Sequence, residues 1–272
     1  MEYTTVQGVE VPSIGLGTWQ MTGSEAYRSV ATALELGYRH LDTAQAYENE
    51  PEVGRALAEA DVDREDVFLT TKLLPTNARY RDAHRATRES LERLGTDYVD
   101  LLLLHWPNPL VNFTETARAF EDLVDEGLVR HVGVSNFSQR RLRKARKKSG
   151  VPLLVNQVQF HPYRPKRDLL SYCQAADVLL TAYSPLARGG LLDDEVLIDI
   201  GAAYGKSPAQ VALRWAVQHH NVVAIPKSSD PEHLEANLDV FDFTLSGDQM
   251  ERITRPSLLR TGVAWTKAEL GV

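Results

Sequence analysis

Val99-Asp100-Leu101-Leu102-Leu103-Leu104-His105 is the stretch on which the fold class turns. Its apolar residues are continuous rather than alternating, the pattern of a parallel strand covered on both faces. It is far shorter than the roughly 18–20 residues that a membrane span needs, and His105 closes it with a polar group. Working outward, similar short runs recur at Ile14–Gly17, His40–Asp42, Val67–Lys72, Val129–Ser135, Leu154–Phe160, Val178–Tyr183 and Val222–Ile225. Amphipathic stretches lie between them at Ser24–Leu36, Asn49–Ala60, Arg81–Leu94, Thr114–Glu126, Ser138–Lys148, Arg167–Ala176 and Ser207–His219. Ser207-Pro208 is a strong helix start, and Leu36-Gly37 and Glu126-Gly127 read as helix ends. Eight strand-helix units without a proline-, glycine- or serine-rich linker predict a single α/β domain over residues 1–272, a (β/α)8 TIM barrel. Tyr3–Pro12, turning at Gly8, predicts a short N-terminal β-hairpin cap, and the long Tyr183–Val222 interval predicts extra helix. A doubly wound open sheet is the competitor, but Gly15-Leu16-Gly17-Thr18-Trp19-Gln20 lacks the third glycine of a dinucleotide-binding turn.

Composition narrows the class further. The 43% hydrophobic and 25% charged content excludes wholesale disorder. A single cysteine, Cys173, excludes a disulfide scaffold and favours a reducing compartment. The first residues, MEYTTVQGVE, have no basic start or apolar centre of a signal peptide, so a cytoplasmic protein is expected. A balance of 30 basic against 37 acidic residues argues against a nucleic-acid partner, and the absence of a long apolar run argues against a membrane partner. Seven cations crowd Arg140–Lys148; with Leu142 and Ala145 as a narrow apolar stripe, they read as the solvated face of a helix. His219-His220 are adjacent, hence about 100° apart on a helix, and no metal site is expected there or elsewhere.

Barrel active sites assemble at the C-terminal ends of the strands. Polar groups stand at those ends here: Asp42, Lys72, His105, Ser135-Asn136, Asn156-Gln157, Tyr183-Ser184 and Lys227-Ser228, with Tyr47 just past the second strand. Asp42, Tyr47, Lys72 and His105 form a coherent set. A tyrosine titrates near 10, and a lysine ammonium against its oxygen is expected to lower that value. Asp42 would keep the lysine charged, and His105 would hydrogen-bond a substrate carbonyl oxygen. That is general-acid machinery for carbonyl reduction, still in need of a hydride source.

Three ordered motifs then make the chain recognisable. Gly37-Tyr38-Arg39-His40-Leu41-Asp42-Thr43-Ala44, followed by Tyr47-Glu48-Asn49-Glu50 and Val53-Gly54, resembles the first signature of the aldo-keto reductases. Glu126-Gly127-Leu128-Val129-Arg130 with Val132-Gly133-Val134-Ser135-Asn136-Phe137 resembles the second, and Ile225-Pro226-Lys227-Ser228 the third. The resemblance runs from Gly15 to about Phe243 and is to the short-loop prokaryotic type that includes the diketogluconate reductases. It implies a barrel that binds NADP(H) across its rim and reduces aldehydes and ketones to alcohols. On this resemblance Tyr47 is the proton donor and Asp42, Lys72 and His105 complete the tetrad. Ser135, Asn136 and Gln157 take the nicotinamide carboxamide, Tyr183 stacks on the ring, and Ser184 and Leu186 border the pyrophosphate, with Arg188 as a further candidate. Lys227, Ser228, His233 and Asn237 fall at the adenosine end. Trp19, Tyr47, His105 and Trp106 would wall the substrate, with Trp265 of the C-terminal tail closing one side.

The departures sit at the adenosine end. Where many NADPH-preferring members carry an arginine, this chain has His233, and where an acid is common it has Ala236. Histidine is half neutral near pH 6.5 and lacks the planar fork of arginine, so NAD(H) use beside NADP(H) is expected. Short loops predict an open site for small aldehydes, dicarbonyls or sugar-derived ketones. A monomer is expected. A cofactor-sensing regulatory subunit of the same fold is the alternative reading.

Overall fold

The structure, a computed structural model, describes residues 2–254. Trp265 lies outside them. The chain opens with β1 (Tyr3–Val6) and β2 (Val9–Pro12), an antiparallel hairpin. Its two-residue turn has Gln7 at φ 53° and Gly8 at φ 78°, both left-handed, as the twist of a tight hairpin demands. Eight parallel strands follow: β3 (Leu16–Gly17), β4 (His40–Asp42), β5 (Phe68–Leu73), β6 (Val99–Leu104), β7 (Val129–Ser135), β8 (Leu153–Gln159), β9 (Leu179–Tyr183) and β10 (Val222–Ile225). Each pairs with the next in sequence. The seam is closed by a parallel bridge between Ile14 and Ala224, with Gly15 N–H donating to the Ala224 carbonyl at 2.9 Å. The sheet is therefore a barrel.

The helices α1 (Gly23–Glu35), α2 (Glu50–Glu59), α3 (Tyr80–Leu94), α4 (Phe113–Asp125), α5 (Gln139–Arg146), α6 (Arg167–Ala175), α7 (Glu195–Tyr204), α8 (Pro208–Val217), α9 (Pro231–Leu238) and α10 (Gly247–Thr254) complete the order. Helix α7 is the extra helix expected before the last strand. At Ser207 the expected helix start is a full capping box: the Ser207 hydroxyl accepts from Gln210 N–H while the Gln210 side chain accepts from Ser207 N–H.

The leucine run of β6 divides between two cores. Leu102 and Leu104 pack into the layer between strands and helices, whereas Leu101 and Leu103 join Val155, Leu179 and Val223 inside the barrel. Val6 and Val11 of the hairpin belong to the inner cluster, so the hairpin plugs one end of the barrel. Both faces of β6 are dry, which is why its sequence does not alternate. At about 1.5–3 kcal/mol per fully buried leucine, this four-residue run is a major contributor to stability. Strand bounds match expectation at His40–Asp42, Val129–Ser135 and Val222–Ile225, and shift by one or two residues elsewhere. Leu142 and Ala145 are buried under the basic face of α5. His219 is structural: its Nδ1 lies 2.7 Å from the Trp215 carbonyl, and its ring packs edge-on against Phe160 and Trp215. No helix among the described residues is long and apolar enough to cross a membrane, and among those residues no group of three or more His, Cys, Asp or Glu side chains could hold a metal ion.

Candidate active site

With the hairpin plugging one end, the polar strand ends gather at the other. The parallel register sets Ser135 beside Gln157 and Gln159 beside Tyr183, and ties His105 N–H to the Leu73 carbonyl at 3.0 Å. An open cavity of about 280 Å³ lies there, lined by Asp42, Tyr47, His105, Ser135, Asn136, Gln157, Tyr183, Ser184 and Lys227, with Trp19 and Trp106 at its sides. Leu186, Ser228, His233 and Asn237 do not line it; Asn237 is buried and His233 exposed on α9.

Behind Asp42 and Tyr47, Lys72 is fully buried, and its ammonium has three protons to place. All three have acceptors: Asp42 Oδ1 at 2.6 Å, the Thr43 carbonyl at 2.8 Å and the Tyr47 hydroxyl oxygen at 3.2 Å. The second carboxylate oxygen of Asp42 accepts from Gln157 Nε2 at 2.6 Å. Burial by itself would discharge the lysine. The Asp42 charge, aided by Tyr47 and by the hydrogen bonds, outweighs it and holds Lys72 above its usual value. Because Tyr47 accepts from Lys72, its own proton is left to point into the cavity.

The expected acidification of Tyr47 is reversed in balance. Burial raises its phenol above the usual value of 10, and the Lys72 charge, which does pull downward, only offsets part of that rise. In the protein without ligand the phenol is thus firmly protonated. Beside it, ring centroids 5.6 Å apart, His105 is lowered to about 3 by burial and by the Lys72 charge. The imidazole is neutral and can donate one hydrogen bond without bringing a charge.

Low histidine values carry a stability consequence. His105 at about 3 and His161 at about 4 are both displaced chiefly by burial, and nearby cations push in the same direction. In the unfolded chain both titrate near 6.5, so between about 6.5 and the folded values the unfolded state binds more protons. Their stabilisation is complete above about 6.5 and is lost as pH falls toward 4. Thermal unfolding midpoints are expected to drop steadily over that interval, and a midpoint constant from pH 6.5 to 4 would contradict the assignment.

Several motif residues turn out to hold the site rather than to line it. Tyr47 rides on a short turn, Gln45–Tyr47, that ends with Glu48 in the left-handed region at φ 56°. Asn49, fully buried, fastens this loop: its amide donates to the carbonyls of Thr18 and Met21, each at 2.9 Å, and its carbonyl accepts from the Thr43 hydroxyl at 2.7 Å. Gln45 fastens the other side through Leu74 N–H and the Ala86 carbonyl. Buried Glu50 pairs with Arg93 at 2.6 Å and accepts from Thr71. Gly54 is where α2 meets the end of α3, and a Cβ there would run into the Leu94 carbonyl. The motif spacing singled out Asn49, Glu50 and Gly54 but not Gln45, and nothing local in the sequence distinguished bracing from chemistry.

Across the cavity, Asn136 ends β7 at φ 62°, a conformation that asparagine tolerates and that re-aims its side chain. Its amide donates to the His105 carbonyl at 3.2 Å and to Ser135 Oγ at 3.0 Å, while its oxygen accepts from the Tyr183 hydroxyl at 2.9 Å. Trp19 and Trp106 are 38% and 50% exposed, so both sides of the mouth are open aromatic surface. Sequence reading gave Arg188 no settled place; its guanidinium lies 4.7 Å over the Trp19 ring and borders the cavity.

A protonated phenol held by a charged lysine and a neutral imidazole face one cavity at the C-terminal rim of a parallel barrel, which defines an enzyme of the general-acid, carbonyl-polarising class. The chain belongs to the aldo/keto reductase family, whose model matches residues 13–256. It is 44% identical to a glyoxal reductase of Bacillus subtilis over 247 residues, covering 90% of this chain and 89% of the relative. Among solved structures, a putative 2,5-diketo-D-gluconic acid reductase B superposes with a TM-score of 0.92 at 40% identity, covering 94% of this chain and 92% of that one. An aldo-keto reductase complexed with NADPH superposes at 0.88 and 32% identity, covering 93% and 86%.

Proposed function

We propose that the chain is an NADPH-dependent reductase of small aldehydes and α-dicarbonyls, with Tyr47 as proton donor. The observation that carries this reading is the hydrogen-bond order at Lys72: the ammonium donates to Tyr47, and the phenolic proton is left for a substrate oxygen. The relative that reduces glyoxal and the related structure complexed with NADPH support the substrate class and the cofactor. The residues present fit a nicotinamide dinucleotide. The side-chain amide oxygen of Gln157 offers an acceptor to a carboxamide, the Ser135 hydroxyl, whose proton goes to the Gln157 backbone carbonyl at 3.0 Å, offers a lone pair, Tyr183 offers an aromatic face, and Lys227 offers a cation further along the rim. Asn136 spends its amide on the wall and so acts by holding His105 and Tyr183 in place.

When bound, the cofactor supplies the hydride. The chain supplies everything else. His105, uncharged, donates to the substrate oxygen and orients it, and its neutrality avoids a buried charge beside Lys72. Tyr47 gives its proton to the same oxygen as negative charge grows there. Lys72 then faces the phenolate with its hydrogen bond already formed, so no rearrangement is needed. Trp19 and Trp106 give an apolar wall to a small substrate and leave the mouth open to solvent.

Discrimination between the two nicotinamide cofactors should be weak. His233 is exposed on α9, and Lys227 lies 3.4 Å from Glu25, so a 2′-phosphate would compete with a carboxylate already in place. Steady-state kinetics with glyoxal, methylglyoxal and a simple aromatic aldehyde, run with NADPH and with NADH, test both statements. Multiple turnovers are expected with both cofactors, and the kcat/KM ratio should favour NADPH by less than a thousandfold. Cofactor binding without turnover would overturn the enzyme reading, and a larger preference would overturn only the cofactor reading. We also read the chain as one barrel domain, on its continuous order of eight parallel strands, and as a cytoplasmic protein and a monomer; a single cysteine in the sequence suits a reducing compartment.

A further inference from the structure

The basic run of α5 borders a second pocket. It has a volume of about 190 Å³, lies between the loop after β6 and α5, and shares no lining residue with the catalytic cavity. Its floor is apolar, formed by Leu104, Val111 and Phe137, of which Leu104 and Phe137 are 2% and 6% exposed. Its rim is cationic. Arg141 and Lys144 stand one helical turn apart on α5, and Lys148 follows one turn later, past the helix end. Lys148 donates to the neutral Asn112 side chain at 2.8 Å, and none of the three cations has a carboxylate partner among the described residues.

An apolar recess under unpaired cations is complementary to a ligand with the reverse distribution. Neither half is explained by the fold alone. The stripe that anchors α5 is Leu142 and Ala145, and solvation of the basic face does not require a pocket beside it. A cavity of about 150 Å³ is known to hold a benzene ring, so 190 Å³ takes a group of roughly six to eight carbons. A folded acidic protein surface could meet the cations but would leave the recess unfilled. We propose that this pocket binds a small anionic amphiphile, a carboxylate with an apolar tail of about six to eight carbons, its head at Arg141 and Lys144 and its tail on Leu104 and Phe137.

The position gives such a ligand a place close to the chemistry. Leu104 precedes His105, Phe137 follows Asn136, and Asn136 is hydrogen-bonded to the His105 carbonyl. The proposal itself concerns binding, and it stands or falls apart from the reductase reading.

Calorimetric titration of the full chain with octanoate tests it, beside acetate (the head without the tail) and 1-octanol (the tail without the head). One octanoate per chain is expected, at least tenfold tighter than either control and weaker at high salt, because exposed charges are screened. Two variants outside the catalytic cavity separate this pocket from any other. Arg141→Glu with Lys144→Glu removes the charge match, and Val111→Trp fills the recess. Each should weaken octanoate at least tenfold while thermal unfolding and NADPH turnover stay close to those of the parent. No binding at millimolar octanoate, an unchanged affinity in either variant, or 1-octanol binding as tightly as octanoate would overturn the proposal.

Discussion

Replacing Tyr47 by phenylalanine is expected to cut turnover by ~10²–10⁴-fold, the usual contribution of a positioned general acid. The change removes one oxygen that makes a single hydrogen bond, at 3.2 Å from Lys72. Lys72 keeps Asp42 and the Thr43 carbonyl, so the buried charge remains paired. Stability should therefore barely move, and NADPH affinity, measured by fluorescence titration, should remain within about twofold. The signature is a loss in kcat without a loss of cofactor binding, since an interaction made in the transition state has been removed. Comparable turnover in Tyr47→Phe would show that the acid is misassigned, because among the described residues no other hydroxyl accepts from Lys72.

Lys72→Met should do more, because it damages both chemistry and fold. Methionine matches the length of the lysine stem, so packing is nearly kept and the electrostatic loss is isolated. Asp42 would then be left 2% exposed with Gln157 Nε2 as its remaining side-chain partner. Breaking a buried ion pair from one side costs about 3–5 kcal/mol, because an uncompensated charge stays in the interior. For a chain of this size that corresponds to a fall in Tm of about 10 °C. Turnover should fall at least as far as in Tyr47→Phe, since the phenolate formed on proton transfer would lose the ammonium facing it. Adding Asp42→Asn to Lys72→Met removes the orphaned charge, and a large part of the lost stability should return with no recovery of activity. Were the double variant no more stable than Lys72→Met, the account of this pair as a buried, mutually dependent unit would fail.

Much of this was legible in the residues. The continuous run of β6 announced a strand dry on both faces, and the polar residues ending successive strands announced a rim. Those features are local: a strand's burial pattern and its terminal side chains are written in consecutive positions. The capping box at Ser207 and the positive-φ hairpin turn at Gln7-Gly8 are of the same kind. The motif spacing also singled out Asn49, Glu50 and Gly54, but not their task, since bracing a loop and touching a substrate demand the same fixed identity.

What the chain decided alone, then, is the order of eight strand-helix units and which polar side chains stand at their ends, because strand period, caps and turns are set by neighbours in sequence. Only the folded barrel decided how those side chains behave. Tyr47 stays protonated, His105 stays neutral and Lys72 stays charged through a balance between burial and partners drawn from β4, β5 and the Gln45–Tyr47 turn. The cost of burying a charge depends on everything packed around it, and no stretch of sequence contains that surrounding.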